Sequence, residues 1–219
     1  MSNDPSPSSA SWTDDAESYL RIAGGLCDVS RLRTKDGWYW QLAAWALAII
    51  SFGRLPRRLF LQDYASVLGP IHAYPRQWDC LPRPLIVHEV RHTRQFLFAG
   101  WFVPILGWLG KRSRVWAGML PVGLVYILFP LPMFFAWGRF RLELDADSYS
   151  WRVSLDRGWM TAESVQARAR QLGEAISSWA YLKAWPRSWA IAACERRAEN
   201  VIRDWQRRHA AELARYFPP

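Results

Sequence analysis

Apolar and polar positions divide the chain into unequal blocks. Residues 1–18 are rich in Ser, Pro and Asp, the composition of a solvated tail. Residues 19–36 predict a short helix followed by a polar turn at Lys35–Gly37. Trp38–Phe52 (WYWQLAAWALAIISF) is the first apolar run, and Arg54, Arg57 and Arg58 follow it. As a helix it reaches only about 22 Å, short of the roughly 30 Å of a bilayer core. Ala65–Pro75 (ASVLGPIHAYP) contains Gly-Pro among roughly alternating apolar residues, which predicts one or two short strands. Pro82 and Pro84 then punctuate the chain and predict a helix from about Leu85.

A longer apolar region runs from Phe96 to Trp137 and splits at Lys111-Arg112-Ser113-Arg114. Its first half, Phe96–Gly110, holds Pro104; its second, Val115–Trp137, holds Pro121, Pro130 and Pro132. The pattern predicts an apolar helical hairpin with its tip at 111–114. A mixed helix follows Gly138 and ends at Gly158, and Thr161 caps the next. There Val165, Ala169, Leu172, Ile176, Trp179 and Leu182 recur every three or four residues, the spacing of an amphipathic helix. Pro186 breaks it, and a last helix over about Ser188–Tyr216 turns Ile191, Val201, Ile202, Trp205 and Leu213 inward. The expected organisation is therefore a polar tail over 1–36, a core over 37–160 and a helical C-terminal extension over 161–219. The fold class is α+β, mainly α.

Composition narrows the setting. Of 219 residues, 51% are hydrophobic and 21% charged, which excludes a disordered chain. Lys and Arg number 28 against 19 Asp and Glu, with 15 Trp, so an anionic partner is expected, either nucleic acid or a membrane surface. Between residues 37 and 138 there are ten basic and three acidic residues, beside the apolar runs. Over 139–219 the balance is 14 to 10, interleaved as on a solvated helix surface. This distribution favours lipid headgroups and argues against nucleic acid. Trp101, Trp108, Trp116 and Trp137 fit an interfacial belt. Cys27, Cys80 and Cys194 are scattered without a CxxC, so neither a Cys-ligated zinc nor a disulfide framework is expected. The N-terminus has no cleavable signal peptide pattern. The expected location is the cytoplasmic side of a membrane.

The most informative segment is Leu85–Gln95, LIVHEVRHTRQ. It contains His88-Glu89-Val90-Arg91-His92, the HExxH pattern. On a helix, residues four apart share a face, so both imidazoles can reach one zinc. Glu89 then lies beside the metal, where it can act as general base on a zinc-activated water. A catalytic zinc needs a third protein ligand and one open position. Glu143-Leu-Asp-Ala-Asp147 supplies an ExxxD on a second helix. Glu143 is the expected third ligand. Asp147, one turn on, can accept the outer N–H of a ligand histidine and fix its tautomer. Asp145 is a competing carboxylate off that face. Arg91 must point away from the metal, toward solvent or a phosphate. Candidates for stabilising a tetrahedral intermediate are His72, Tyr74, Tyr149 and Arg152. His209 is expected at the surface.

The motif pair resembles the gluzincin metallopeptidases, in which HExxH supplies two ligands and the base and a Glu on a later helix the third ligand. Its layout is most similar to the membrane-bound branches: the CAAX prenyl protease and HtpX-like family, and the BlaR-type sensor proteases. These too place apolar segments between HExxH and the Glu helix, and Phe129-Pro-Leu-Pro132 resembles the BlaR-type branch. A further similarity is to the peptidase domain of contractile-injection-system core proteins. There a strand precedes the HExxH helix and a Gln follows the second His, as Ile71–Pro75 and Gln95 do here. The resemblance covers residues 60–155. It implies a zincin-like core with an HExxH helix, a short strand region before it, an apolar helical hairpin and a Glu-bearing helix. It also implies a Zn2+ cofactor, a peptide or protein substrate, and membrane association of the 37–160 unit. The expected activity is that of a membrane-associated zinc metalloendopeptidase. The alternative is a catalytically silent zincin-like module serving as a membrane-anchored assembly or effector component.

Overall fold

A computed structural model describes residues 31–78, 81–100, 111–128, 137–178, 181 and 185–216. Three strands form one small sheet: β1 (Arg31–Thr34), β2 (Ser66–Leu68) and β3 (Ile71–Tyr74). The strand order is β1-β3-β2, with β1 parallel and β2 antiparallel to β3. His72 is at the middle of this register, opposite Leu32 on one side and Val67 on the other. Two expectations change here. Residues 31–34 are a strand rather than the end of a helix. Residues 31–36 also belong to the fold rather than to a tail, because Leu32 packs on Ile86 and Val90 and Lys35 is buried. The rest of the expected tail lies outside the described residues.

Among the described residues there are seven helices: α1 (Trp38–Ile50), α2 (Arg57–Asp63), α3 (Arg83–Ala99), α4 (Lys111–Leu128), α5 (Trp137–Asp156), α6 (Ala162–Ile176) and α7 (Arg187–Tyr216). Helix α3 starts with Pro82 as its N-cap and a proline in its first turn, where a missing N–H costs nothing. One side of α3, carrying Ile86 and Val90, meets the sheet side of the fold, with Leu32, Leu81 and Leu97 around it. Helices α4 and α5 pack against α3 as well.

The expected hairpin falls only partly within the described residues. The start of its first arm, Phe96–Ala99, is the last turn of α3, and the rest of that arm, 101–110, lies outside the described residues. The basic cluster at 111–114 is not a loop tip but the first turn of α4. Helices α3 and α4 run antiparallel against each other. Glycines permit their close approach: a Cβ on Gly100 would strike the Arg114 carbonyl, and one on Gly118 the Phe96 carbonyl. Pro121 sits inside α4, which leaves the Ala117 carbonyl without its usual helical donor. No helix among the described residues is long and apolar enough to cross a membrane.

Helices α5, α6 and α7 share one core, which includes Phe140, Trp151, Val165, Ile176, Cys194 and Val201. Helices α6 and α7 are therefore packed on the Glu-bearing helix. As expected, Gly158 follows α5 with φ 68°, and Thr161 caps α6. The cap is reciprocal: Thr161 Oγ1 accepts from the Ser164 N–H, and Ser164 Oγ accepts from the Thr161 N–H. Helix α6 stops at Ile176, short of the expected Leu182.

Candidate metal centre

Helices α3 and α5 lie side by side and bring the two motifs together. The Nε2 atoms of His88 and His92 are 3.0 Å apart. Glu143 Oε2 is 3.4 Å from His88 Nε2, and Glu143 Oε1 is 3.8 Å from His92 Nε2. Two ligand atoms about 2.1 Å from one tetrahedral ion lie roughly 3.4 Å from each other. The three separations bracket that value. Ligand atoms of His88, His92 and Glu143 all fall within 4.8 Å of one another, a group able to hold a metal ion.

The outer atoms of the two rings show which way the lone pairs face. His88 Nδ1 is 3.3 Å from Asp147 Oδ2. An ionised carboxylate only accepts, so Nδ1 carries the ring proton. His92 Nδ1 is 2.9 Å from Gln95 Oε1. The Gln95 amide is oriented by its other end, where Nε2 donates to the Leu142 carbonyl at 3.1 Å and to Asp145 at 2.9 Å. Its oxygen is therefore the end that meets His92, and Nδ1 of His92 donates to it. Both Nε2 lone pairs then converge beside a carboxylate, a donor set for a cation. Without a cation, burial works to lower the His88 pKa. The Asp147 and Glu143 carboxylates outweigh it and hold the ring well above its usual value.

The other carboxylate, Asp145, is held elsewhere. Arg91 donates to both its oxygens, at 2.7 and 3.1 Å. Arg91 thus points neither to bare solvent nor to a phosphate. It clamps α3 to α5 on the flank of the site. The pair also closes a relay from Arg91 through Asp145 and Gln95 to His92. In the sequence this role of Gln95 is signalled only by its three-residue spacing from His92.

Glu89 is half-buried, and burial raises its pKa above its ordinary value despite the pull of His88 and His92. It borders a narrow cleft lined also by Leu32, Ala65, His72, Tyr74 and Ile86. Two of the four candidates for stabilising an intermediate, His72 and Tyr74, are therefore at this cleft. His72 Nε2 is 2.7 Å from Thr93 Oγ1 on α3. Burial, then the neighbouring His92, pushes the His72 pKa down to about 3, so the ring is neutral. The other two lie away. Tyr149 faces Arg91 and Arg94, whose guanidinium groups lie over its ring, and Arg94 Nη1 donates to its hydroxyl at 2.8 Å. Arg152 is exposed on α5.

A further group has no counterpart in the sequence reading. Lys35 follows β1 directly and is only 4% exposed. Its Nζ donates to the Phe60 carbonyl at 2.9 Å and to Ser66 Oγ at 2.8 Å, and lies 3.9 Å from the Phe60 ring centre. Burial lowers its pKa to about 7, partly offset by the charge of Glu89. It ties β1 to α2 and β2 behind the cleft.

Compared with protein-family models, with curated proteins and with solved structures, the chain matches none, so its chemistry is argued from its own residues.

Proposed function

We propose that the chain is a membrane-associated zinc metallopeptidase. The observation that carries this reading is the convergence of His88 and His92 from α3 with Glu143 from α5, with Glu89 bordering the adjoining cleft. Two imidazoles and one carboxylate suit zinc and leave one position open. Bound zinc would supply an activated water and a Lewis acid for a peptide carbonyl. The remaining tasks belong to the protein. Asp147 and Gln95 fix the ring orientations of His88 and His92. Glu89 takes a proton and returns it to the leaving amine. The largely apolar cleft beside Glu89 shields that proton from bulk water.

A catalytically silent zinc-binding module is the second reading. One observation favours it: Tyr149 is held by Arg94, and His72 is engaged with Thr93, so two candidate donors are committed elsewhere. The experiment is zinc quantification on wild type, His88→Ala and Glu143→Ala, alongside hydrolysis of a peptide library by wild type and Glu89→Gln. The peptidase reading expects about one zinc per wild-type chain, loss in both ligand variants, and retained zinc with abolished cleavage in Glu89→Gln. Wild type with less than about half an equivalent after reconstitution would sink it. Zinc without cleavage would select the second reading.

A further inference from the structure

Helix α1 is apolar on two opposite sides. Trp40 and Ala44 are buried on the inner side. On the other side Trp38, Leu42, Trp45 and Ile49 are 74, 58, 52 and 69% exposed, and Phe52 beyond the helix end is 81% exposed. The first four recur at steps of four and three, one continuous helical face, and Phe52 extends it beyond the helix end. Their combined exposed area is on the order of 600 Å², at the upper end of what a monomer typically shows as a single patch. A helix apolar all round belongs in an environment that covers both sides.

Phe52 adds an independent observation. It has φ 53°, a left-handed conformation that costs a bulky residue roughly 1 kcal/mol or more. Gly53 follows with φ 75° and Ser51 is fully buried. The chain thus turns inward on both a serine and a buried Leu55 while Phe52 is turned out at the end of the apolar face. A strained backbone that exposes a phenylalanine marks a surface with a use.

Charge indicates what covers the face. No charged residue occurs from Gly37 to Gly53, and Arg54, Arg57 and Arg58 follow at once. The Arg57 guanidinium lies 4.2 Å from the Trp45 ring centre, which fixes basic charge at the border of the apolar face. Arg54 and Arg58 are exposed beside it. A second copy of the chain would bring the same uncharged face and the same arginines, with no counter-charge. An anionic headgroup layer over hydrocarbon supplies both parts.

We infer that α1 and Phe52 form an in-plane anchor that seats the protein on an anionic lipid surface. Trp38, Leu42, Trp45, Ile49 and Phe52 enter the acyl boundary, and Arg54, Arg57 and Arg58 contact headgroup phosphates. At 13 residues the helix lies along the surface and does not cross it. The inference rests on the membrane-associated part of the reading above, while the zinc chemistry stands or falls separately.

The test is flotation of the full-length, zinc-reconstituted protein with vesicles of phosphatidylcholine, alone or mixed with phosphatidylserine at roughly 3:1. Wild type should float with the mixed vesicles at least about tenfold better than with the neutral ones. Leu42→Glu with Ile49→Glu should lower that partition at least about tenfold, with far-UV circular dichroism unchanged because both sites face outward. Arg54→Glu with Arg58→Glu, at two exposed positions, should abolish the preference for anionic vesicles. Partition unaffected by either pair overturns the inference. So does a wild-type dimer that fails to float and that Leu42→Glu with Ile49→Glu converts to monomer, since a second copy then covers the face. Zinc content is read on the same samples. Wild type that floats without retaining zinc supports this anchor and sinks the peptidase reading.

Discussion

Asp147 Oδ2 lies 3.3 Å from His88 Nδ1, on the opposite side of the ring from Glu143. The carboxylate therefore reaches the metal position through the imidazole. Asp147→Asn keeps the shape but substitutes a neutral amide for the anion. We expect zinc affinity to fall about 10–100-fold, with the fold intact. Competition with a chromogenic chelator measures this. Wild-type affinity in Asp147→Asn would remove the residue from any role at the site.

Asp145 tests the other flank. Its pKa is lowered: burial opposes ionisation, but hydrogen bonds from Arg91 and Gln95 outweigh it. Both partners are about one-third exposed, so solvent screens the pair. Asp145→Ala should cost about 1 kcal/mol of stability and less at high salt. It should also weaken zinc binding by a smaller factor than Asp147→Asn, because Gln95 loses one of the two acceptors that orient it toward His92. Urea denaturation at low and high salt, with zinc competition, checks both parts. A larger zinc effect than that of Asp147→Asn would reverse the assignment of the two carboxylates.

What could be read from the chain and what could not follow from the range of the contacts. His88, Glu89 and His92, and Glu143 with Asp147, are local spacings on single helices, fixed by 3.6 residues per turn. The β2–β3 pair and the Thr161 cap are likewise local. The strand at Arg31–Thr34 carries one apolar residue, Leu32, and exists because β3 offers an edge to pair with. Lys35 looks like any surface lysine in sequence, and its burial depends on Phe60 and Ser66, which are 25 and 31 residues away. The Arg91–Asp145 clamp and the Gln95 relay depend on how α3 and α5 lie against each other. No spacing within one segment reveals that.

The α3–α4 contact makes a stability prediction. A Cβ on Gly118 would meet the Phe96 carbonyl and the Gly100 nitrogen, both backbone atoms that cannot rotate away. Gly118→Ala should destabilise the protein by about 1–3 kcal/mol, despite alanine's better helix propensity. Gly158→Ala is the control for conformation alone. It has φ 68° and open space around its Cβ position, so it should cost about 1 kcal/mol. Because α3 carries the histidines, Gly118→Ala should also lower zinc occupancy, whereas Gly158→Ala should not. Equal zinc occupancy in the two variants would show that the α3–α4 crossing does not support the site.

Lys35 makes stability depend on pH with a defined sign. Burial lowers its pKa in the folded protein from 10.5 to about 7. Between these values the unfolded chain binds a proton that the folded chain does not, so stability rises with pH. Below about pH 7 both states are protonated, and the full cost of burying the ammonium is present. Tyr64 and Tyr74, whose pKa values burial raises above 10.0, act in the opposite sense once the unfolded chain begins to ionise them. The informative window is therefore about pH 7–9.5. Lys35→Met retains the length of the side chain and removes the titration. It also leaves Ser66 Oγ and the Phe60 carbonyl without this donor, a cost that does not vary with pH in this range. With a chelator present, so that metal binding adds no pH dependence of its own, the Lys35 contribution to wild-type stability should rise by on the order of 2–3 kcal/mol across the window, against the opposite contributions of His88 and Cys194, whose pKa values are raised and which both proteins share. The Lys35→Met curve should lack that rise, so the wild-type curve climbs relative to it by that amount. Parallel urea-denaturation curves for the two proteins from pH 7 to 9.5 would mean that Lys35 stays charged in the folded protein and that its enclosure by Phe60 and Trp40 is hydrated.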